Sequence, residues 1–149
     1  MGDRILVADD EGAIRRLLKA ILGAEGYEVI EATNGDEAVE FAVKEKPKLV
    51  LLDINMPLVD GIEACKRLRA NEETSLIPII MVSGLEDNKM AAVEAGADDF
   101  LDKPFSRVDV HARVKSALRI QHLTDDLDRA MAYIEELQWS RETTEEPST

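Results

Sequence analysis

Asp9, Asp10, Asp53, Ser83 and Lys103 each close or closely follow a short apolar run. Left alone, the three carboxylates would repel one another and raise one another's pKa. A hard divalent cation resolves that conflict. Mg²⁺ prefers oxygen ligands, keeps several waters and takes one or two carboxylates directly. Lys103 adds one positive charge, so three negative charges face two from the metal and one from lysine. An ionised aspartate in that setting is poised as a nucleophile toward phosphorus. Phosphoryl transfer needs alignment and neutralisation of charge on the equatorial oxygens. Mg²⁺, Lys103 and the Ser83 hydroxyl are suitable groups for those oxygens, and the product would be an aspartyl phosphate on Asp53.

The elements that must bring these residues together are legible in the apolar pattern. Leu49 to Leu52 is a continuous apolar run that suits a strand buried on both faces, and Asp53 stands at its carboxyl end. A charge there is costly unless paired or bound to a metal. Met56-Pro57 then stops regular structure, and Gly61 permits a sharp turn or close approach. Arg4 to Ala8 predicts a first strand, Tyr27 to Glu31 a second, Pro78 to Val82 a fourth and Asp98 to Leu101 a short fifth. Ile14, Leu17, Leu18, Ile21 and Leu22 carry the helical period between the first two strands. Ala38, Val39, Ala42 and Val43 mark a second helix, Ile62, Cys65 and Leu68 a third, and Met90 with Val93 a short fourth. Strands alternating with helices imply an α/β fold with a five-stranded, parallel, doubly wound sheet and five helices. Ligands in such sheets bind beyond the carboxyl ends of the strands. The second strand ends in Glu31-Ala32-Thr33 and offers nothing, so it belongs at an edge. That arrangement matches the flavodoxin-like order 2-1-3-4-5.

Composition sets outer bounds. The chain of 149 residues is about one domain, and 18 basic against 31 acidic residues leave a net charge of −13. That sign argues against nucleic acid or an anionic membrane as a direct partner. Cys65 is the single cysteine, which excludes an intramolecular disulfide and fits a reducing compartment. No apolar stretch nears the roughly 20 residues that span a bilayer, and the first strand begins too early for a signal peptide. The chain reads as cytoplasmic.

These motifs together resemble a response-regulator receiver domain of two-component signalling, of the chemotaxis-regulator-like kind. The resemblance is carried by Asp9-Asp10, by Asp53 with Met56-Pro57 and Asp60-Gly61, by Ser83, and by Lys103-Pro104-Phe105, in the expected order and spacing. It covers residues 3–119. It implies that Asp53 accepts a phosphoryl group from a phosphohistidine on a sensor histidine kinase or phosphotransfer protein. It implies that Asp10, Asp53 and the backbone carbonyl of Asn55 bind Mg²⁺ directly, with Asp9 acting through water. It assigns Ser83 and Lys103 to the phosphoryl oxygens and implies a cis Lys103–Pro104 bond. On phosphorylation, Ser83 would move onto the phosphoryl group and Phe100 would turn inward, reshaping the face of helix four, strand five and helix five. Phe100 stands where the family commonly has tyrosine, and it has no hydroxyl. Asn55 and Leu85 hold positions that tune dephosphorylation in the family.

From Ser106 the pattern is helical to about Trp139. Val110, Val114, Ala117 and Leu118 would pack on the sheet. The stripe then changes register, and Ile120, Leu123, Leu127, Ala130, Ile134 and Leu137 are spaced 3, 4, 3, 4, 3. That is a heptad seam, though short of three heptads. Residues 120–139 are therefore expected to extend the last helix as a parallel dimeric coiled coil. The competing expectations are an antiparallel fold-back or a frayed helix. Residues 140–149 read as a disordered tail. Since such a helix often leads into an effector, the pattern favours a fragment whose output domain lies beyond Thr149.

Plainer readings exist for single residues. Asp9-Asp10 suits a helix cap, Cys65 a buried packing position, Phe100 a core aromatic, and His111 and His122 a helix surface. Among functions, an enzyme of the haloacid-dehalogenase-like phosphatase class would want an aspartate where Asn55 stands and a nucleophile on the first strand. A phosphorylation-independent adaptor with the same fold is the other alternative. The expectation is a regulator that catalyses only its own phosphorylation and dephosphorylation.

Overall fold

The computed structural model describes residues 2–144, in which five strands and five helices alternate. In chain order they are β1 (Arg4–Ala8), α1 (Gly12–Ala24), β2 (Glu28–Ala32), α2 (Gly35–Glu45), β3 (Leu49–Asp53), α3 (Gly61–Ala70), β4 (Ile79–Ser83), α4 (Lys89–Ala95), β5 (Asp99–Asp102) and α5 (Arg107–Thr144). The strands form one parallel sheet in the order β2-β1-β3-β4-β5, the flavodoxin-like arrangement expected from the sequence. Side chains alternate across each strand, and this splits the core in two. Leu6, Ala8, Val50, Leu52, Ile79 and Met81 pack under α2, α3 and α4, with Ala38, Ala64, Cys65 and Leu68. Ile5, Val7, Leu49, Leu51, Ile80 and Val82 pack under α1 and α5, with Leu18, Leu22, Val110 and Val114. β1, β3 and β4 are buried on both faces, which explains why they read as continuous apolar runs.

Local chemistry fixes where the helices begin. Asn34, Asp60 and Asn88 each accept a hydrogen bond from the backbone three residues on, capping α2, α3 and α4. Ser106 and Asp109 bond reciprocally at the start of α5. The cap position of α1 is Glu11, so Asp9 and Asp10 are not its capping side chains.

The helices marked by apolar residues are present, but not every marking residue is buried. Leu17 of α1 is largely exposed, at the rim of the stripe. In α4 the buried residues are Ala92 and Ala95, while Met90 and Val93 are exposed. Ala92 and Ala95 lie in the core beside α3, where Cys65 Sγ donates to the Ala95 carbonyl at 3.4 Å.

The last helix is continuous from Arg107 to Thr144, 38 residues or about 57 Å. An antiparallel fold-back within it is therefore not the conformation adopted. Residues 140–144, expected to be disordered, continue the helix, because nothing in Ser140 to Thr144 breaks it. Residues 145–149 of that expected tail lie outside the described residues. Val110, Val114 and Leu118 are buried, and then the contacts become polar. Lys48 Nζ pairs with Asp125 Oδ2 at 3.1 Å, and His122 Nε2 faces Asp3 Oδ2 at 3.0 Å. His111 pairs with Glu25. Ile120, Leu123, Leu127, Ile134 and Leu137 are each half exposed or more, and Ala130 is exposed among them. Among the described residues no helix is long and apolar enough to cross a membrane.

The turn after β3 depends on close backbone approach. Gly61 N–H donates to the Ile54 carbonyl at 2.8 Å, and a Cβ added at Gly61 would lie 2.1 Å from the Asp53 carbonyl oxygen. Gly61→Ala should therefore lower unfolding stability by about 2–4 kcal/mol in a urea titration. A loss below about 0.5 kcal/mol would show that the turn can relax without cost.

Candidate functional site

Each element delivers its side chain for a reason already present in the backbone. β1 and β3 are neighbours in parallel register, with Ala8 opposite Leu52, so both release their next residues at the same edge. Asp53 ends β3, and Asp9 follows β1. Their carboxylates, with that of exposed Asp10, each offer an oxygen within 4.8 Å of the others. β5 brings Lys103 to the same edge, where its N–H donates to the Ser83 carbonyl at 2.7 Å. Lys103 Nζ lies 3.5 Å from Asp53 Oδ1 and 3.6 Å from Asp9 Oδ2. The Lys103–Pro104 peptide is cis.

Asp9 and Asp53 are almost out of water, at 1% and 2% exposure. Asp53 Oδ1 accepts from the Asn55 N–H at 3.3 Å, and Asp9 Oδ1 from the Glu11 N–H at 2.9 Å. Asp9 Oδ2 is buried with no hydrogen-bond partner among the described residues. Burial, and then the Asp9 charge, push the Asp53 carboxyl up to about 7. Burial also raises Asp9 above the usual carboxylate range, although its bond from Glu11 and the charge of Lys103 oppose this. For Lys103 burial works downward, but Asp53, Asp9 and Glu11 together outweigh it and hold the ammonium above its ordinary value. An orphaned carboxylate oxygen beside two more carboxylates is a donor set that fits a hard, oxygen-seeking divalent cation.

The remaining predicted site residues sit at the margin. Ser83 is buried at the end of β4, but its hydroxyl donates to Asp102 Oδ1 at 3.1 Å. It is thus turned toward β5, whereas the sequence reading aimed it at a phosphoryl group. Phe100 is partly buried against the α2–α4 core, and Lys89 Nζ lies 5.5 Å from its ring centroid. Asn55 Nδ2 donates to Asp87 Oδ1 at 2.5 Å, which ties the loop after β3 to the loop after β4. Ile120, Leu123, Leu127, Ala130, Ile134 and Leu137 lie apart from all of this, on the projecting helix. The sequence reading missed Asp87, Lys89 and Asp102. Of these only Asp102 had a signal: it is the residue that a parallel β4–β5 pairing sets opposite Ser83.

Residues 5–115 match the family model described as the response regulator receiver domain. The alkaline phosphatase synthesis transcriptional regulatory protein PhoP of Bacillus subtilis (strain 168) is 46% identical over 121 residues, 80% of this chain and 50% of that protein. The phosphate regulon transcriptional regulatory protein PhoB of Pseudomonas aeruginosa is also 46% identical over 121 residues, 80% of this chain and 53% of that protein. The chain spans about half the length of these curated relatives. Among solved structures, the receiver domain of the sensor histidine kinase PA1611 from Pseudomonas aeruginosa PAO1, with a magnesium ion coordinated in its active-site cleft, superposes with a TM-score of 0.75. It is 28% identical and covers 79% of this chain and 98% of that one. The signal receiver domain of a signal transduction histidine kinase from Syntrophus aciditrophicus gives a TM-score of 0.74 at 34% identity, covering 79% and 91%.

The charge cluster gives the metal-free protein a definite pH dependence. Asp53 binds its proton more tightly folded than unfolded, so between about pH 4 and pH 7 the folded state holds more protons and stability falls as pH rises. Asp53→Asn should remove that share and raise metal-free stability at pH 8 by on the order of 1–3 kcal/mol, because a repelling buried charge is gone. Urea titrations in chelator across this pH range check it. A less stable Asn variant at pH 8 would show that the carboxylates do not strain the fold.

Proposed function

The chain belongs to the response regulator receiver family, and we propose that within it Asp53 is the acceptor of a phosphoryl group from a partner kinase's phosphohistidine. The observation that carries this reading is the Asp53 carboxylate, fixed at the end of β3 with Asp9, Asp10 and Lys103 around it. An Asp53 oxygen forms the new bond to phosphorus as the phosphorus–nitrogen bond of phosphohistidine breaks and the imidazole leaves. Asp53 must be ionised to attack, and Lys103 favours the ionised form. Mg²⁺ held by Asp10, Asp53 and the Asn55 carbonyl, with Asp9 acting through water, would neutralise charge on the phosphoryl oxygens. Lys103 would pair with one phosphoryl oxygen. Ser83 would turn its hydroxyl from Asp102 to another, and Phe100 would turn inward as that space is vacated.

The chain's own chemistry in this reading is its phosphorylation and dephosphorylation, with no turnover of an outside substrate. A cytoplasmic setting fits the single cysteine and the need to meet a kinase. The signal leaves through the α4–β5–α5 face and along α5. A helix whose apolar stripe is exposed at 3, 4, 3, 4, 3 spacing gains stability by burying it in an equivalent stripe. We therefore take the partner of Ile120 to Leu137 to be a second copy of the chain in parallel. Its reorientation would be read by an effector, as befits similarity to proteins named as transcriptional regulators.

Acetyl phosphate with Mg²⁺ should add one phosphoryl group, seen by intact mass and lost in Asp53→Asn or in chelator. Equal labelling of the Asn variant would sink the assignment. Steady hydrolysis of a generic phosphomonoester would favour the phosphatase class instead, and none is expected. In sedimentation equilibrium the wild type should be a dimer, and Leu127→Asp with Ile134→Asp a monomer. A wild-type monomer both with and without beryllofluoride would remove the coiled-coil reading.

A further inference from the structure

β4 and β5 run in parallel with Met81 opposite Phe100 and Ser83 opposite Asp102. Phe100 and Asp102 therefore share one face of β5, and Lys89, the first residue of α4, lies over both. Lys89 Nζ is 2.5 Å from Asp102 Oδ1 and 5.5 Å from the Phe100 ring centroid. The same Asp102 oxygen accepts the Ser83 hydroxyl at 3.1 Å. Ser83 is fully buried, and a buried hydroxyl is costly without a partner. The Asp102 side chain is 60% exposed and contributes nothing to the core. Its hydrogen bond from Lys89, and then that from Ser83, keep its carboxyl below the usual range and so ionised as an acceptor.

A serine hydroxyl has one proton to donate. It can go to Asp102 or to a phosphoryl oxygen on Asp53, not to both. We propose that Asp102 is a positioning residue, which competes with the phosphoryl group for the Ser83 hydroxyl and so sets how readily the site takes up its phosphorylated state. This rests on the reading of Asp53 as the phosphoacceptor. Lys89 orients the Asp102 carboxylate and links it to Phe100, so the hydroxyl, the aromatic side chain and the start of α4 are held by one small network. The network lies at the surface, which limits its strength.

The test is a double-mutant cycle read as beryllofluoride affinity in the presence of Mg²⁺, measured by calorimetry on the full chain. Asp102→Ala should tighten binding roughly threefold to tenfold, the scale of one hydrogen bond no longer competing. Asp102→Asn, which keeps an acceptor for Ser83 but discards the charge that holds Lys89, should fall between wild type and Ala. In a Ser83→Ala background the Asp102→Ala gain should vanish. An equal gain in both backgrounds would mean that Asp102 acts only through its negative charge near the anion, and that outcome overturns the proposal. No gain with Ser83 intact would overturn it too. Failure of the wild type itself to bind beryllofluoride would instead bring down the phosphoacceptor reading, and this inference with it. A single cooperative thermal unfolding transition in each Asp102 variant, lowered only modestly because Ser83 loses its partner, separates either result from misfolding.

Discussion

Asp9 and Asp53 are carboxylates placed side by side where almost no water reaches them. Each is penalised by burial, and each makes the other's charge harder to bear. The fold tolerates this because β1 and β3 are the central strands of a sheet packed on both faces, too stiff to let the two side chains move apart. Lys103, carried by β5 at the sheet's far edge, supplies part of the compensation. Backbone N–H groups from Glu11 and Asn55 supply more, yet Asp9 Oδ2 has no hydrogen-bond partner among the described residues and faces the Lys103 ammonium only at 3.6 Å. A site assembled this way is under electrostatic tension that a bound divalent cation would relieve.

The surroundings follow from holding that cluster at one lip. The loop after β3 must leave quickly, and Gly61 lets α3 begin against the backbone of the very residue that ends the strand. Opposite it, the loop after β4 is drawn in through Asp87, which accepts from both Asn55 and the Gly84 N–H. The neighbouring strand pair carries Ser83 and Asp102 in register. The hydroxyl nearest to β5 is therefore committed away from the carboxylates, and through Lys89 to the first turn of α4. Ser83, Asp102 and Lys89 thus form a short polar chain from the end of β4 to the start of α4.

At the opposite end of the sheet α5 is moored differently. Its first turns bury Val110, Val114 and Leu118, and its middle is pinned to the amino ends of β1 and β3 by His122–Asp3 and Lys48–Asp125. Beyond that the helix has no sheet to lie on, and its apolar stripe is left open. The attached turns and the open stripe belong to one continuous helix.

Much of this was legible in the sequence because period and position carry it. Continuous apolar runs identified the strands buried on both faces. A carboxylate at the end of such a run has no packing purpose, which puts Asp9 and Asp53 at one edge, and Lys103 joins them by closely following the fifth strand. The change of stripe after Leu118 located the point where α5 leaves the sheet. What the sequence could not decide is which way a side chain turns among several partners, since that depends on neighbours distant in the chain. Ser83 bonds to Asp102 because parallel pairing sets the two residues opposite each other, 19 positions apart. Met90 and Val93 face outward while Ala92 and Ala95 of the same helix enter the core beside α3, a choice of face that depends on where α3 lies. Asp87 reaches Asn55 only because two loops meet over the site. Spacing along the chain fixes which residues arrive at the edge, and the packing of strands and helices fixes which of them touch.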